Sequence, residues 1–499
     1  MLYDAFKQVV ISYPLNVALE NEKNEQLTFI ELNASVNTLA DFLSSLGISS
    51  NAKVGVCAPK SMDVIVSLLA IIKCNACYIP VDFYNPIKRN LQIFNDCNVN
   101  AVIVPKGQGR DYFENQAIIF CIHEVDNFSF DIVQIEQKEN QSEQIENGLI
   151  NILYTSGSTG KPKGVMCSQE NIMSFLRWSN KELSIDSQER FISIAPLCFD
   201  LSILDIFLPL ITGGCVVIAE RDTIQTPKIL AKFIDQKNIT NVYTTPTLLK
   251  LLLRFGRLEQ YTFSQLRRVI FAGEVFPLAQ FKKLAHLIGD ITYYNFFGPT
   301  ETNVCYFLKL QCEQLEYLQE ISIGRPCPHY TSLIINEKDD EVSYGCVGEL
   351  VIFGPVMSGY YNKTYRNEGF IYKNGEIGYR TGDLVCLDKD DNLSYHGRKD
   401  RMIKRNGYRI EAAEIESTLA QHEEIIDIVV VSKTTLESSL SICAYYSCSQ
   451  ENTLSNVLLK SYSAKVLPSY MIPDKFVRLQ TMPVNKNGKI DYTMLSTKT

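Results

Sequence analysis

The residues best suited to do chemistry stand in one stretch, Asn151-Ile152-Leu153-Tyr154-Thr155-Ser156-Gly157-Ser158-Thr159-Gly160-Lys161-Pro162-Lys163-Gly164. The ten residues after Tyr154 hold three glycines, four hydroxyl side chains and two lysines. Glycine lets backbone N–H groups come close to an anion, hydroxyls donate hydrogen bonds and lysines supply positive charge. The spacing G-x-x-x-x-G-K-[ST] is absent, because Pro162 follows Lys161, so the loop is not a P-loop. By composition alone a flexible Ser/Gly surface loop is the alternative.

The elements that must position this loop follow from hydrophobic periodicity. Leu149 to Tyr154 reads as a buried strand leading into it. Upstream, Leu27 opens a helical pattern carried by Leu32, Val36, Leu39 and Leu43. Lys53 to Ala58 alternates as a strand. Ser61 caps a helix with Ile65, Leu68, Leu69 and Ile72 on one face. Ala76–Val81 and Ala101–Pro105 read as further strands, and Asp131 to Gly148 as a polar surface connection. Glu170 to Trp178 is helical, Phe191 to Pro196 a strand, and Asp205 to Ile211 a helix stopped at Gly213-Gly214. Asn241–Thr245 and Arg268–Ala272 read as parallel core strands. Ligands of open α/β sheets collect at the carboxyl ends of strands. The loop after Tyr154, the Pro246-Thr247 turn and the Gly273-Glu274 turn are therefore expected at one crevice. The glycine-rich stretch Ser322 to Asp388 predicts a β-barrel-like lobe. Beyond Gly397-Arg398-Lys399-Asp400-Arg401, a helix over Ala412–Gln421 and a strand over Ile425–Val431 predict a small α+β domain.

The fold expected is therefore α/β. A large N-terminal domain, 1–399, would contain two α/β sheet subdomains and the β-barrel-like one, followed by a small mobile C-terminal domain, 400–499. Composition agrees with a large buried core: 46% of the 499 residues are hydrophobic. The net charge of −8 and the absence of a basic block argue against nucleic acid. No run of about 18 apolar residues implies a membrane span, and the N-terminus lacks a signal peptide's basic start and apolar segment. The 15 cysteines are scattered among apolar residues, the pattern of reduced, buried thiols in a cytoplasmic protein. Cys74 and Cys77 form one C-x-x-C without a second pair at zinc spacing, and the five histidines lie far apart.

Further motifs recur in a fixed order. Ile72-Lys73-Cys74-Asn75-Ala76-Cys77-Tyr78-Ile79-Pro80-Val81-Asp82 is followed by Tyr294-Asn295-Phe296-Phe297-Gly298-Pro299-Thr300-Glu301 and Gly348-Glu349-Leu350. Tyr379-Arg380-Thr381-Gly382-Asp383-Leu384, Gly397-Arg398-Lys399-Asp400, Leu467-Pro468-Ser469-Tyr470-Met471-Ile472-Pro473 and Asn487-Gly488-Lys489-Ile490-Asp491 complete the series. From Leu27 to Asp491 the chain resembles the adenylate-forming enzymes: acyl-CoA synthetases, luciferases and, most of all, the amino-acid adenylation domains of nonribosomal peptide synthetases.

The resemblance implies roles residue by residue. Thr155, Ser156, Gly157, Ser158, Thr159, Gly160 and Lys163 would hold the triphosphate of ATP. Phe297, beside Gly298, would stack on adenine where the family has tyrosine; stacking uses the ring face and survives the change. Asn295 would read the adenine edge. Thr300 and Glu301 would meet the α-phosphate and Mg²⁺, Glu301 as metal ligand, since a hard cation prefers carboxylate oxygen. Asp383 would accept the ribose hydroxyls, with Arg398 beside it. Lys489 would be the main catalytic residue, bridging substrate carboxylate and phosphate as charge accumulates. Asp400 would be the hinge about which the C-terminal domain turns to admit a phosphopantetheine thiol. Departures are Asn75 for glycine, Gln169 for histidine, Met402 for glutamine and Asn406 for arginine.

Asp200 stands where amino-acid-activating members bind the substrate ammonium. The remaining pocket positions carried over are Leu201, Leu204, Tyr243, Ile270, Ala272, Phe296, Val304 and Cys305, none of them charged, with Lys489 at the carboxylate end. A charged substrate side chain would be desolvated there without compensation. The bulk of Tyr243 and Phe296 favours a small apolar side chain, and the lining resembles that of stand-alone prolyl-AMP ligases that load proline onto a carrier protein. Proline, ATP and Mg²⁺ are the expected ligands, and a separate carrier protein the expected partner. The alternatives are alanine or valine as substrate, an acyl-CoA ligase, and a non-catalytic nucleotide-binding protein.

Overall fold

The computed structural model describes residues 1–113, 119–135, 148–157, 161–361, 368–373, 375–389, 392–434, 440–448, 454–483 and 490–497. Two compact units emerge. The first comprises Met1–Phe83, Phe94–Leu153 and Gly164–Lys399, and the second Tyr84–Ile93, Tyr154–Lys163 and Asp400–Thr499.

The first unit is mixed α/β. Its nine-stranded sheet runs in the order Arg325–Pro326, Tyr306–Leu310, Thr292–Phe297, Arg268–Ala272, Asn241–Thr244, Arg190–Ser193, Cys215–Ile218, Val17–Glu20, Gln26–Thr28. From Thr292–Phe297 to Val17–Glu20 every pairing is parallel; the flanking ones are antiparallel. Side chains on a strand alternate between faces, and this alternation sorts the core into two. Val242, Val269, Phe271 and Tyr293 pack into one hydrophobic cluster, while Tyr243, Ile270, Ala272, Tyr294 and Phe296 pack into another. Register places Tyr243 beside Ile270 and Ala272 beside Phe296. The predicted pocket residues of these three strands thus share one face of one sheet.

A seven-stranded sheet has the order Ile119–Glu124, Phe130–Ile135, Ala101–Pro105, Lys53–Val56, Cys77–Pro80, Leu149–Thr155, Lys163–Ser168. Here the predicted surface connection from Asp131 is corrected: its first residues continue a buried antiparallel strand. Asp131 is tolerated inside because its carboxylate accepts the Gly107 N–H at 2.7 Å. Residues 136–147 lie outside the description. The helix predicted from Leu27 spans Phe29–Ser45. Its N-cap is Thr28, which exchanges hydrogen bonds with Glu31 in a capping box. Ser61 caps helix Met62–Lys73 through the Val64 N–H. Asn75 sits at φ 54°, the left-handed region that glycine and, less readily, asparagine tolerate; its place in a glycine position is thereby explained. The glycine-rich stretch forms a five-stranded antiparallel sheet, with Val347–Phe353 and Glu376–Leu387 at its centre.

The second unit is α+β. Ile425–Thr434, Leu440–Cys448 and Lys475–Arg478 make a three-stranded sheet, and Met402–Arg405 pairs with Tyr408–Glu411 as a hairpin. Asn406 (φ 54°) and Gly407 (φ 80°) form its turn, the positive-φ pair that two-residue hairpins require. Helix Ala412–Leu419 covers Val430, Ile442 and Ala444 with Ile415 and Leu419. Arg89 and Glu414 form a buried ion pair in this unit. Among the described residues no helix is long and apolar enough to cross a membrane. None of the 15 cysteines is in a disulfide.

Candidate active site

The carboxyl ends of the parallel strands build the site of the first unit. Strand Arg190–Ser193 ends and the chain turns through Pro196–Phe199, closed by the Phe199 N–H to Pro196 O at 3.0 Å. Asp200 is the N-cap of helix Leu201–Thr212. The predicted strand to Pro196 stops early, at Ser193, and the helix predicted from Asp205 starts earlier, at Leu201. Asp200 is desolvated, which pushes its carboxyl up to about 6; the Thr300 hydroxyl opposes this rise and the nearby Glu301 charge adds to it. Sequence-distant Asp200, Thr300 and Glu301 therefore meet in one place.

Glu301 is fully buried. Its Oε1 accepts the Tyr360 hydroxyl at 2.6 Å, and its carbonyl accepts the Met357 N–H at 2.7 Å. Tyr360 is delivered by a short antiparallel bridge to Val165, and its hydroxyl lies 3.1 Å from that of Tyr379. The buried Cys167 thiol feels both Asp200 and Glu301, which add to the rise that burial imposes on it. Neither Tyr360 nor Cys167 was singled out by sequence, because no local pattern announces a contact across so long a stretch of chain.

Among the described residues no group of three or more His, Cys, Asp or Glu side chains is gathered for a metal ion. Mg²⁺ asks for less: one or two carboxylates suffice when phosphate and water complete the shell. The buried Glu301 carboxylate fits that role, since a hard cation prefers carboxylate oxygen.

Leu204, Tyr243, Ile270, Ala272, Phe296, Val304 and Cys305 are all buried in a single hydrophobic cluster, with Leu201 packed against it. The Phe296 ring lies edge-on to Tyr243 at 5.9 Å and 5.2 Å from Trp178. Apart from Asp200 and Lys489, no charged side chain belongs to this predicted set.

The nucleotide motif lies on strand Thr292–Phe297 and the turn after it. Asn295 donates one amide proton to Ser322 O at 2.9 Å. Phe297 is half-buried, 6.1 Å from the Tyr395 ring. A Cβ on Gly298 would run into the Asn303 carbonyl oxygen, so the tight turn admits only glycine. Asp383 and Arg398 are direct partners on adjacent strands. They form a buried ion pair at 2.9 Å, with Arg398 also donating to Thr381 O at 2.9 Å. Thr247 donates to Glu274 from its hydroxyl at 2.5 Å and its N–H at 3.1 Å. The Pro246-Thr247 and Gly273-Glu274 turns expected at one crevice are thus joined.

Thr155, Ser156, Gly157 and Lys163 belong to the second unit. Ser156 is buried; its hydroxyl donates to Arg409 O at 2.6 Å and accepts the Glu411 N–H at 3.0 Å. A Cβ on Gly157 would meet the Lys161 carbonyl oxygen, so the loop folds back on itself. Asp400 accepts the Met402 N–H at 3.3 Å. Gln169, in the first unit, accepts the Leu2 N–H at 2.9 Å and so ties down the N-terminal helix. Ser158, Thr159, Gly160 and Lys489 lie outside the described residues. A cavity of about 400 Å³ lined by Leu266, Asp290 and Thr292 opens at the N-terminal ends of its strands; that is the opposite end from Ala272 and Phe296, and it takes no part in this site.

A sequence profile of the AMP-binding enzyme family matches residues 6–361, and one of the AMP-binding enzyme C-terminal domain matches residues 414–489. The chain is 30% identical to the L-proline--[L-prolyl-carrier protein] ligase of Pseudomonas fluorescens, over 98% of each chain. It is also 30% identical to gramicidin S synthase 2 of Brevibacillus brevis over 98% of this chain, which spans 11% of that synthase's length. Among solved structures, an artificially fused adenylation–PCP di-domain from Klebsiella oxytoca superposes with a TM-score of 0.78 at 25% identity, covering 96% of this chain and 94% of that one. With its motifs in order and both profiles matched, the chain belongs to the AMP-binding enzyme family, the adenylate-forming enzymes.

Proposed function

We propose that the protein activates a small apolar amino acid, L-proline, at the expense of ATP, and loads it onto the phosphopantetheine thiol of a separate carrier protein. The observation that carries this reading is Asp200: a desolvated carboxylate, raised to about 6, beside a cluster of uncharged pocket residues. Such a group gains most from a cationic partner, and a substrate ammonium or iminium is one. The likeness to a ligase named for proline, along its whole length, supports the same choice.

In the first step an oxygen of the substrate carboxylate attacks the α-phosphorus. The bond from that phosphorus to the bridging oxygen breaks, and pyrophosphate leaves with the electron pair. Asp200 orients the amino end, Thr300 meets the α-phosphate, and Glu301 would hold Mg²⁺. When bound, Mg²⁺ neutralises phosphate charge. Lys489 supplies the compensating positive charge, so catalysis rests on positioning and electrostatics. Phe297 and Asn295 seat the base, and Asp383 and Arg398 the ribose. The loop from Thr155 to Lys163, including Ser158, Thr159 and Gly160, seats the triphosphate. In the second step the carrier thiol attacks the acyl carbon, its proton is released, and AMP departs. The C-terminal domain, 400–499 with its hinge at Asp400, makes room for that thiol. Fifteen cysteines outside any disulfide fit a reducing cytoplasm.

A pyrophosphate-exchange panel tests the reading. Proline is expected to exceed alanine and valine. Alanine or valine ahead of proline removes the choice of substrate, and CoA-dependent turnover of a fatty or aryl acid without amino-acid exchange removes the activity.

A further inference from the structure

Two ionic side chains of the first unit have no part in the chemistry above, yet they flank the turn that carries Asp200. Lys60 lies in the connection between strand Lys53–Val56 and helix Met62–Lys73. Its ammonium donates to Ser193 O at 2.9 Å, Ser193 Oγ at 2.9 Å and Ala195 O at 2.7 Å. Three acceptors match an ammonium's three protons. They lie where strand Arg190–Ser193 gives way to the link that ends at Asp200, and they occupy carbonyls that a longer strand would have needed. Lys60 thus ties an element of the seven-stranded sheet to a loop of the nine-stranded one.

Asp205 stands on the far side of the turn, on helix Leu201–Thr212, and is fully buried. Burial pulls the Lys60 ammonium down and pushes the Asp205 carboxyl up, and the charge of each opposes the change in the other. Asp200 and Asp205 both add to the rise of the Tyr243 phenol, so the two acids approach one ring of the predicted pocket. A buried charge pair is weak evidence for stability, because a well-packed apolar replacement is often as stable or more so. What the pair does supply is a fixed geometry.

We propose that Lys60 is a positioning residue for the amino-acid site, clamping the link from Ser193 so that the Asp200 carboxylate is held at one height above the pocket, with the buried Asp205 on the helix that follows as its counter-charge. The inference rests on the amino-acid reading given above. Its test is pyrophosphate exchange with proline, comparing the wild-type protein with Lys60→Met, Lys60→Arg and the neutral pair Lys60→Met/Asp205→Leu. Each hydrogen bond to a charged group is worth about a factor of ten or more. Losing the clamp is therefore expected to raise the amino-acid KM roughly tenfold or more. The KM for ATP is expected to stay within about twofold, and Lys60→Arg to recover most of the loss. ATP binding by calorimetry and thermal denaturation confirm that the neutral pair is folded. A folded neutral pair with an unchanged amino-acid KM, or with both KM values raised together, overturns the proposal while leaving the activity standing. A wild-type protein that exchanges with no amino acid removes the activity and the proposal with it.

Discussion

Asp200→Asn is predicted to make the ligand-free protein more stable and the enzyme much worse. Burial raises this carboxyl from its ordinary 3.8 to about 6. At about 1.4 kcal/mol per pKa unit, the ionised form carries a burden on the order of 3 kcal/mol. The sign follows from linkage. Below pH ~4 the folded and unfolded chains both hold the proton. As pH rises from there to about 6, the unfolded chain gives it up first, so the folded state loses stability. Above that window the full burden remains. Asparagine keeps the shape, can still accept from the Thr300 hydroxyl, and carries no charge. Denaturation at pH 8 is expected to show the variant more stable by up to ~3 kcal/mol, with the gain vanishing near pH 4. The amino-acid KM at pH 8 is expected to rise on the order of a hundredfold, as for breaking a desolvated charge pair. For the wild-type enzyme, that KM should rise as pH falls below about 6. An Asn variant less stable than wild type at pH 8, or one with an unaltered amino-acid KM, refutes the reasoning.

Arg398→Met leaves the buried Asp383 without the guanidinium that now pairs with it, a loss of about 3–5 kcal/mol. Adding Asp383→Asn should restore most of the stability but not ATP affinity, a pattern that denaturation and calorimetry together resolve. Gly298→Ala pushes a methyl group into the Asn303 carbonyl. ATP binding should fall by an order of magnitude or more while the amino-acid pocket keeps its packing, since about 1–3 kcal/mol of strain is confined to the turn. Lys489→Ala should reduce pyrophosphate exchange by roughly two or more orders of magnitude, with an unchanged melting temperature.

Much of the fold was legible because burial leaves a local trace. A short apolar run marked Arg268–Ala272, the period of Leu32, Val36, Leu39 and Leu43 marked helix Phe29–Ser45, and Ser61 marked a helix start. The strand at Phe130–Ile135 was misread because the Gln- and Glu-rich run beyond it dominated the stretch from Asp131; inside, one oxygen of the Asp131 carboxylate accepts the distant Gly107 N–H. The predicted pocket residues do pack together, yet the side chains that support them were not legible. Tyr360 reaches Glu301, and Lys60 reaches Ser193 and Ala195, across stretches with no shared motif. Asp205 left one sign, a lone acid within an otherwise apolar helix, but nothing in the sequence names its counter-ion. Segment ends followed tertiary demand: the strand at Arg190 stops where Lys60 takes its carbonyls.

The single proton of the Ser156 hydroxyl is already given to the Arg409 carbonyl, while the same oxygen receives the Glu411 N–H. A phosphate oxygen that claimed this proton would have to take it from the backbone. The carbonyl at 409, set in its hairpin, would then need water or another donor. On the proposed reading, nucleotide and hairpin would compete for one hydrogen atom, so that filling the loop and loosening strand Tyr408–Glu411 would be two sides of the same exchange.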